Sequence, residues 1–72
     1  MIDSTHIRAR IYCDDRSRHG LAPLWGASID EVTISNGRER AAPLAAVYGK
    51  DTRDALEVRV RSMYAGSDLR FA

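Results

Sequence analysis

Cationic and aromatic side chains alternate with apolar ones from His6 to Cys13. The period of two is typical of a strand with one buried face and one face in water. Residues 56–61 repeat the alternation with two more arginines. A guanidinium group is a planar, bidentate donor that suits phosphate, carboxylate and aromatic partners. If both segments are strands of one sheet, the pattern indicates a cationic binding surface. Its residues are Arg8, Arg10, Tyr12, Arg59 and Arg61.

Trp25 is a further candidate for binding. It lies in an apolar, proline-containing stretch, residues 21–26, which we expect to fold back over the core as a lid. An indole removes a large area from water and is frequent among the residues that anchor protein contacts. A contact centred on Trp25, Leu24 or Tyr48 would depend on salt much less than a contact with nucleic acid.

The chain contains residue types that are common in catalytic sites, but their spacing matches no known catalytic motif. Cys13 and His19 flank a polar loop, so they are candidates for a Cys–His nucleophile pair or for a metal site. Similarly, His6 and His19 could act as acid and base in a ribonuclease. A closed zinc site needs four ligands, and Cys13 fits better as a small buried residue of the first strand. The sequence therefore predicts a protein without enzymatic activity, metal or cofactor.

The net charge is close to zero. Eleven basic and ten acidic residues give +1, so no whole-molecule field draws the chain to nucleic acid. Ten of the eleven basic residues are arginine, with Lys50 as the exception. This bias has two explanations that composition cannot separate, a functional surface or the codon usage of a GC-rich genome. Near-neutral charge favours a partner protein over nucleic acid.

The length of 72 residues predicts a single compact domain, residues 1–72, with a small core. Without a disulfide to stabilise it, such a chain is expected to self-associate, and a homodimer through exposed edge strands is one form this could take. The lone Cys13 and the absence of a long apolar run predict a soluble, cytoplasmic protein with no membrane contact. The expected core residues are Ile7, Ile11, Leu21, Leu24, Trp25, Ile29, Val32, Ile34, Leu44, Val47, Leu56, Val58, Val60, Met63 and Phe71.

Two local signals define strands. The alternation predicts a first strand over residues 5–13, and Asn36-Gly37 predicts a two-residue type I′ hairpin. In that hairpin Ser35 faces Arg38, and the following pairs are Ile34 with Glu39, Thr33 with Arg40 and Val32 with Ala41. Pro43 has no amide donor, which predicts that the second arm is an edge strand or breaks there. Residues 28–31 match a capping box, but the β-branched residues after them favour a strand.

Residues 51–66 allow two interpretations. Asp51 or Thr52 as N-cap, Asp54 in the first turn and Gly66 beyond the end would suit a helix. Strict alternation and two valines favour a strand over residues 55–61, and this is the interpretation we prefer. The choice matters because a helix separates Arg59 from Arg61 by about 200° and breaks up the arginine surface.

The sequence thus predicts a small β-rich fold, either all-β or α+β. We expect a four- to five-stranded antiparallel sheet or partly open barrel, with or without one helix after Asp51. The expected function is that of a small regulatory or inhibitory protein that binds a partner protein. The alternative is a small RNA- or DNA-binding module that uses an arginine-rich sheet face.

Overall fold

The computed structural model describes residues 2–72 and contains one sheet and one helix. The elements in chain order are β1 (Ser4–Asp14), a 3₁₀ turn (Ser17–His19), β2 (Leu24–Ser35), β3 (Arg38–Lys50), α1 (Arg53–Met63) and β4 (Leu69–Phe71). The strand order is β3-β2-β1-β4, and the sheet is open. β1 to β3 form an antiparallel meander, whereas β4 lies parallel to β1. The predicted class, a small β-rich fold with or without one helix after Asp51, is confirmed; the helix is present, and the four-stranded sheet is mixed where an antiparallel one was expected.

β1 extends one residue beyond each end of the predicted strand. It pairs with β2 without interruption, from Ser4 opposite Ile34 to Asp14 opposite Leu24. The residues at odd positions, among them Ala9, turn toward the helix, and the even positions turn away from it. The alternation in the sequence therefore predicted which side of the sheet each residue of β1 faces, although His6 on the side away from the helix is buried and Cys13 on the helix side is exposed.

The hairpin between β2 and β3 has the predicted turn and register. Asn36 and Gly37 have φ of 53° and 74°, as a type I′ turn requires. All four expected pairs are observed, from Ser35 opposite Arg38 to Val32 opposite Ala41. The strand prediction for residues 28–31 is also confirmed, since they lie within β2.

Pro43 lies on an edge strand, as predicted. The register shifts between Ile29 and Asp30, because Ile29 pairs with Ala45 and Asp30 pairs with Pro43, so that Leu44 is an extra residue. In a two-residue hairpin the residues flanking the turn exchange hydrogen bonds, and the pattern alternates from there. By this count the backbone nitrogen of Pro43 points away from β2. Its lack of an amide hydrogen therefore removes no hydrogen bond from the sheet.

The preferred strand over residues 55–61 is wrong, because this segment belongs to α1. Thr52 is the N-cap, and its hydroxyl accepts a hydrogen bond from the amide of Ala55 at 3.1 Å. Leu56 and Val60, four residues apart, are fully buried, whereas Val58 is 66% exposed. Only two of the three alternating apolar side chains are thus buried. The N-cap and the i, i+4 pair of Leu56 and Val60 favour the helix over the strand.

The main core lies between α1 and the sheet. Ala9, Ala27, Ile29, Leu56 and Val60 form its fully buried cluster. Neither alanine is among the expected core residues, and both are fully buried. Four predicted core residues are exposed instead, namely Leu21, Leu44, Val58 and Met63. The predicted lid is also wrong, because Leu24 and Trp25 begin β2.

Replacing Thr52 with alanine is expected to lower the free energy of unfolding by about 1 kcal/mol, because the amide of Ala55 loses its acceptor at the helix start. Thr52→Asp keeps an acceptor and should change stability by only a few tenths of that amount. Urea denaturation followed by circular dichroism measures both. Equal stability of the alanine and aspartate variants would show that the cap does not contribute.

Candidate functional site

The helix covers one side of the sheet and leaves the other side free. We call this other side the open face. From the strand register and the alternation of side chains, it carries Ser4, His6, Arg8, Arg10, Tyr12 and Asp14 of β1, Leu24, Gly26, Ser28, Asp30, Val32 and Ile34 of β2, Glu39, Ala41, Pro43, Ala46 and Tyr48 of β3, and Arg70 of β4. Polar and aromatic residues dominate it. It is therefore the broadest candidate for contact with a partner.

Three of the six predicted binding residues share the open face, namely Arg8, Arg10 and Tyr12. Arg59 and Arg61 do not join them, because they lie on α1 on the opposite side of the sheet. The Arg61 guanidinium carbon lies 4.8 Å from the centroid of the Phe71 ring. The expected surface of four arginines is therefore wrong, and its cause is the helix at residues 53–63.

Trp25 also lies away from the open face. It is partly buried and packs against the core cluster beneath the helix. It pairs with Cys13 across β1 and β2 on the helix side of the sheet. In this position the indole contributes to the core.

Two tyrosines meet above Gly26 on the open face. Tyr12 and Tyr48 lie directly on either side of Gly26 in the sheet. Their ring centroids are 6.5 Å apart, and the ring planes differ by 19°. A Cβ atom on Gly26 would lie 2.6 Å from Cζ and Oη of Tyr12. The absence of a side chain at Gly26 is therefore what lets the Tyr12 ring lie across β2 toward Tyr48.

Tyr48 is held in place by Asp14. The Tyr48 hydroxyl donates a hydrogen bond to Oδ2 of Asp14. This bond and the adjacent negative charge raise the pKa of Tyr48 above its usual value of 10.0. Both rings remain accessible, with Tyr12 43% and Tyr48 51% exposed. The pair, which we call the tyrosine platform (Tyr12 and Tyr48), is thus exposed, with Tyr48 hydrogen-bonded to Asp14 and Tyr12 lying over Gly26.

Each arginine of the open face has an acidic neighbour. Arg8 lies 3.5 Å from Glu39 and Arg10 lies 3.6 Å from Asp30. Arg70 donates to Asp68 at 3.0 Å, and this hydrogen bond lowers the pKa of the Asp68 carboxyl. The open face therefore carries charges of both signs in close pairs.

Arg8 and His6 have a structural role on this face. Arg8 reaches from β1 past β2 to Glu39 on β3, and Val32 on β2 is fully buried although it faces away from the helix. His6 lies opposite Val32 in the sheet and is itself only 6% exposed. Nδ1 of His6 and Nε of Arg8 are buried there without a hydrogen-bond partner among the described residues.

The residues considered for catalysis are dispersed. His6 is buried within β1, whereas His19 is exposed in the 3₁₀ turn. Cys13 is exposed, so its predicted burial is wrong; it lies near the end of β1, beyond the three residues that pair with β4. Among residues 2–72, no three histidine, cysteine, aspartate or glutamate side chains converge as metal ligands. In the same range no helix has the length and apolar character needed to cross a membrane.

The tyrosine platform combines a predicted residue with ones that the sequence did not reveal. Tyr12 was expected at a binding surface, whereas Gly26 and Asp14 were not. Their roles depend on the register between β1 and β2, which are joined by a loop whose length fixes no pairing. The only signal in the sequence was a glycine inside an apolar segment, a common mark of close approach by another group.

Comparison with known proteins provides no further assignment. No family model matches this chain, and neither a curated protein nor a solved structure is significantly similar to it.

Gly26→Ala tests the contact beneath the platform. The new methyl group would meet the end of the Tyr12 side chain, so the ring must move, and we expect a loss of about 1 kcal/mol or more. In a Tyr12→Ala background the same change should be neutral or stabilising, because alanine suits an extended strand better than glycine. Urea denaturation of the four proteins gives the coupling energy. A coupling near zero would mean that Tyr12 does not lie over Gly26 in solution.

The ionisation of Tyr48 tests its bond to Asp14. Because folding raises the pKa of Tyr48, the protonated phenol favours the folded state. This stabilisation is complete below the unfolded pKa and is lost as the pH rises through the folded value. Asp14→Asn should move the Tyr48 titration, followed by NMR of the ring Cζ, to lower pH. Asp15→Asn is the control, since Asp15 accepts from Ser17 instead, and an equal shift in both variants would contradict the assignment.

Proposed function

We propose that this chain is a small non-enzymatic regulatory or inhibitory protein that binds a partner protein through its open face. The observation that carries this proposal is the tyrosine platform, two exposed rings that lie above Gly26 and beside Asp14. Tyrosine and arginine are enriched among the residues that dominate protein interfaces. Rings already fixed in place lose little conformational entropy on binding.

The charges of the open face favour a protein over a nucleic acid. Binding to a phosphate backbone needs cations free to replace counterions. Here Arg8, Arg10 and Arg70 each lie beside a carboxylate, and Arg59 and Arg61 are on the far side of the sheet. A protein surface with charges of both signs complements this arrangement, because it can exchange ion pairs at the rim around an aromatic centre.

The partner is expected to place its own apolar centre on Tyr12 and Tyr48. Ala46 and Pro43 lie on β3 along the same face and are exposed. Together they provide an uncharged strip beside the rings. Arg10, whose side chain is 60% exposed, lies at its border. Such a contact covers a surface on the partner, which is how a small protein regulates or inhibits.

Photo-crosslinking from residue 46 identifies the proteins that touch the open face in extracts of cells that express this chain. Binding of the purified partner is then compared between the native chain and two double variants. Tyr12→Ala with Tyr48→Ala should weaken binding about 100-fold, since interface aromatics contribute on the order of 1–2 kcal/mol each. Arg59→Ala with Arg61→Ala, on the helix, should leave the dissociation constant within about twofold, as expected for residues outside an interface.

Two outcomes would contradict the proposal. Loss of binding in the helix variant with retention in the tyrosine variant would move the interface to α1. Tight oligonucleotide binding at about 150 mM salt, lost in Arg8→Ala with Arg10→Ala, would replace it with the nucleic-acid alternative. Urea denaturation of each variant separates loss of contact from loss of fold.

A further inference from the structure

β1 has a backbone edge that β4 leaves free. β4 pairs with three of the eleven residues of β1, from Ile7 opposite Leu69 to Ala9 opposite Phe71. Further along this edge the amide of Ala72 donates a hydrogen bond to the carbonyl of Ala9, at 2.8 Å. Beyond it β1 continues to Asp14 and is paired only with β2. This remaining part, residues 11–14, is here called the β1 free edge.

The direction of the backbone groups follows from the bonds already made. Ile7 donates to Asp68 and Ala9 accepts from Ala72, so the odd residues of β1 direct their amide and carbonyl groups away from β2. By the same alternation Ile11 and Cys13 do so at the free edge. Their N–H and C=O groups form a short row that a further strand could use. This row spans about 10–13 Å, the length of three to four strand residues.

The two edges of the sheet differ in their protection against strand addition. β3 carries Pro43 and two irregularities in register, and charged residues lie at both of its ends. These are the features by which proteins block strand addition. β1 contains no proline, and its pairing with β2 has no bulge. Of the two edges, the β1 free edge is therefore the one open to a new strand.

Two arginines lie near the β1 free edge, one on each face of the sheet. Arg10 on the open face is 3.6 Å from Asp30, but its side chain is 60% exposed, and an exposed ion pair of this kind can be exchanged for one with a partner. Arg61 lies over Phe71 on the helix side. The nearest carboxylate in the strand, Asp14, is engaged by Tyr48. A strand added here would place its side chains alternately on the two faces, within reach of these cations. Acidic side chains are thus the complementary choice.

We infer that the β1 free edge is a strand-addition site for an extended, acidic segment of a partner protein. This inference rests on the proposed function, because it specifies how part of the partner binds beside the open face. A second copy of this chain fits less well. Antiparallel pairing centred on Tyr12 would bring Asp14 of the second copy opposite Arg10, where Ala72 already lies.

A capped pentapeptide of alternating valine and glutamate serves as the probe, with the valine–lysine peptide as its charge control. On titration of the ¹⁵N-labelled chain, the amide signals of Ile11 and Cys13 should shift, and their hydrogen exchange should slow. The glutamate peptide should bind about three- to tenfold more tightly than the lysine peptide, as expected for exposed ion pairs. The inference would be overturned if the amide signals of β3 shifted instead, or if the two peptides bound equally well.

Cys13→Pro and Cys13→Val form a matched pair of variants. Proline removes the outward amide of Cys13 without removing a bond to β2, whereas valine keeps that amide. Binding of the glutamate peptide should be lost with proline and stay within about twofold with valine. The native-chain exchange measurement remains decisive even if the proline variant fails to fold. Slower exchange at Ile11 and Cys13 on raising protein concentration alone would identify a second copy as the occupant and overturn the inference.

The two Cys13 variants also distinguish failure of this inference from failure of the proposed function. If the partner identified by crosslinking binds both Cys13 variants equally but not the tyrosine variant, the open-face function stands and the strand addition is wrong. If Cys13→Pro releases the partner while the tyrosine variant retains it, the edge is the interface and the proposed role of the open face is wrong.

Discussion

The packing of one helix against one side of the sheet is the constraint on which this structure depends. Leu56 and Val60 of α1 rest on a sheet surface that contains Ala9, Ala27 and Ile29. Those side chains lie at the centre of three elements, and both alanines are fully buried. α1 is the one α-helix within residues 2–72, and the opposite side of the sheet has no such cover there.

The open face is stabilised by other means than an apolar layer. At one end Arg8 spans the sheet to Glu39, and Val32 is buried between strands without help from the helix. At the other end, Tyr12 covers the backbone of Gly26 and Tyr48 is tied to Asp14. Long amphipathic side chains thus shield backbone and apolar groups while their polar ends remain in water. The same arrangement presents rings and ion pairs to a partner.

The arginines of this chain serve several unrelated local purposes. Arg8 spans the sheet, Arg61 lies over the Phe71 ring and Arg16 donates to the carbonyl of Ala22 at 2.9 Å. Arg53 lies one helical turn from Glu57, at 3.5 Å. Their number therefore does not produce a single cationic field. This distribution of the arginines is consistent with the near-neutral net charge and favours individual contacts over phosphate binding.

Features with local signals could be predicted from the amino-acid sequence. The alternation in residues 6–13 predicted the two sides of β1, and Asn36-Gly37 predicted the turn and the four pairs next to it, but not the two later shifts in register between β2 and β3. These patterns act over a few residues, so they need no information about the rest of the fold. Half of the predicted binding set, Arg8, Arg10 and Tyr12, was placed correctly on one face for the same reason.

Tertiary structure decided the rest. Residues 53–63 alternate like a strand, and they became a helix because Thr52 caps it and Leu56 and Val60 find a shared apolar surface on the sheet. That outcome moved Arg59 and Arg61 to the far side. The tyrosine platform likewise needed the register of β1 against β2, which places Tyr12 opposite Gly26. Both depend on contacts between distant parts of the chain, whose energy no short pattern contains.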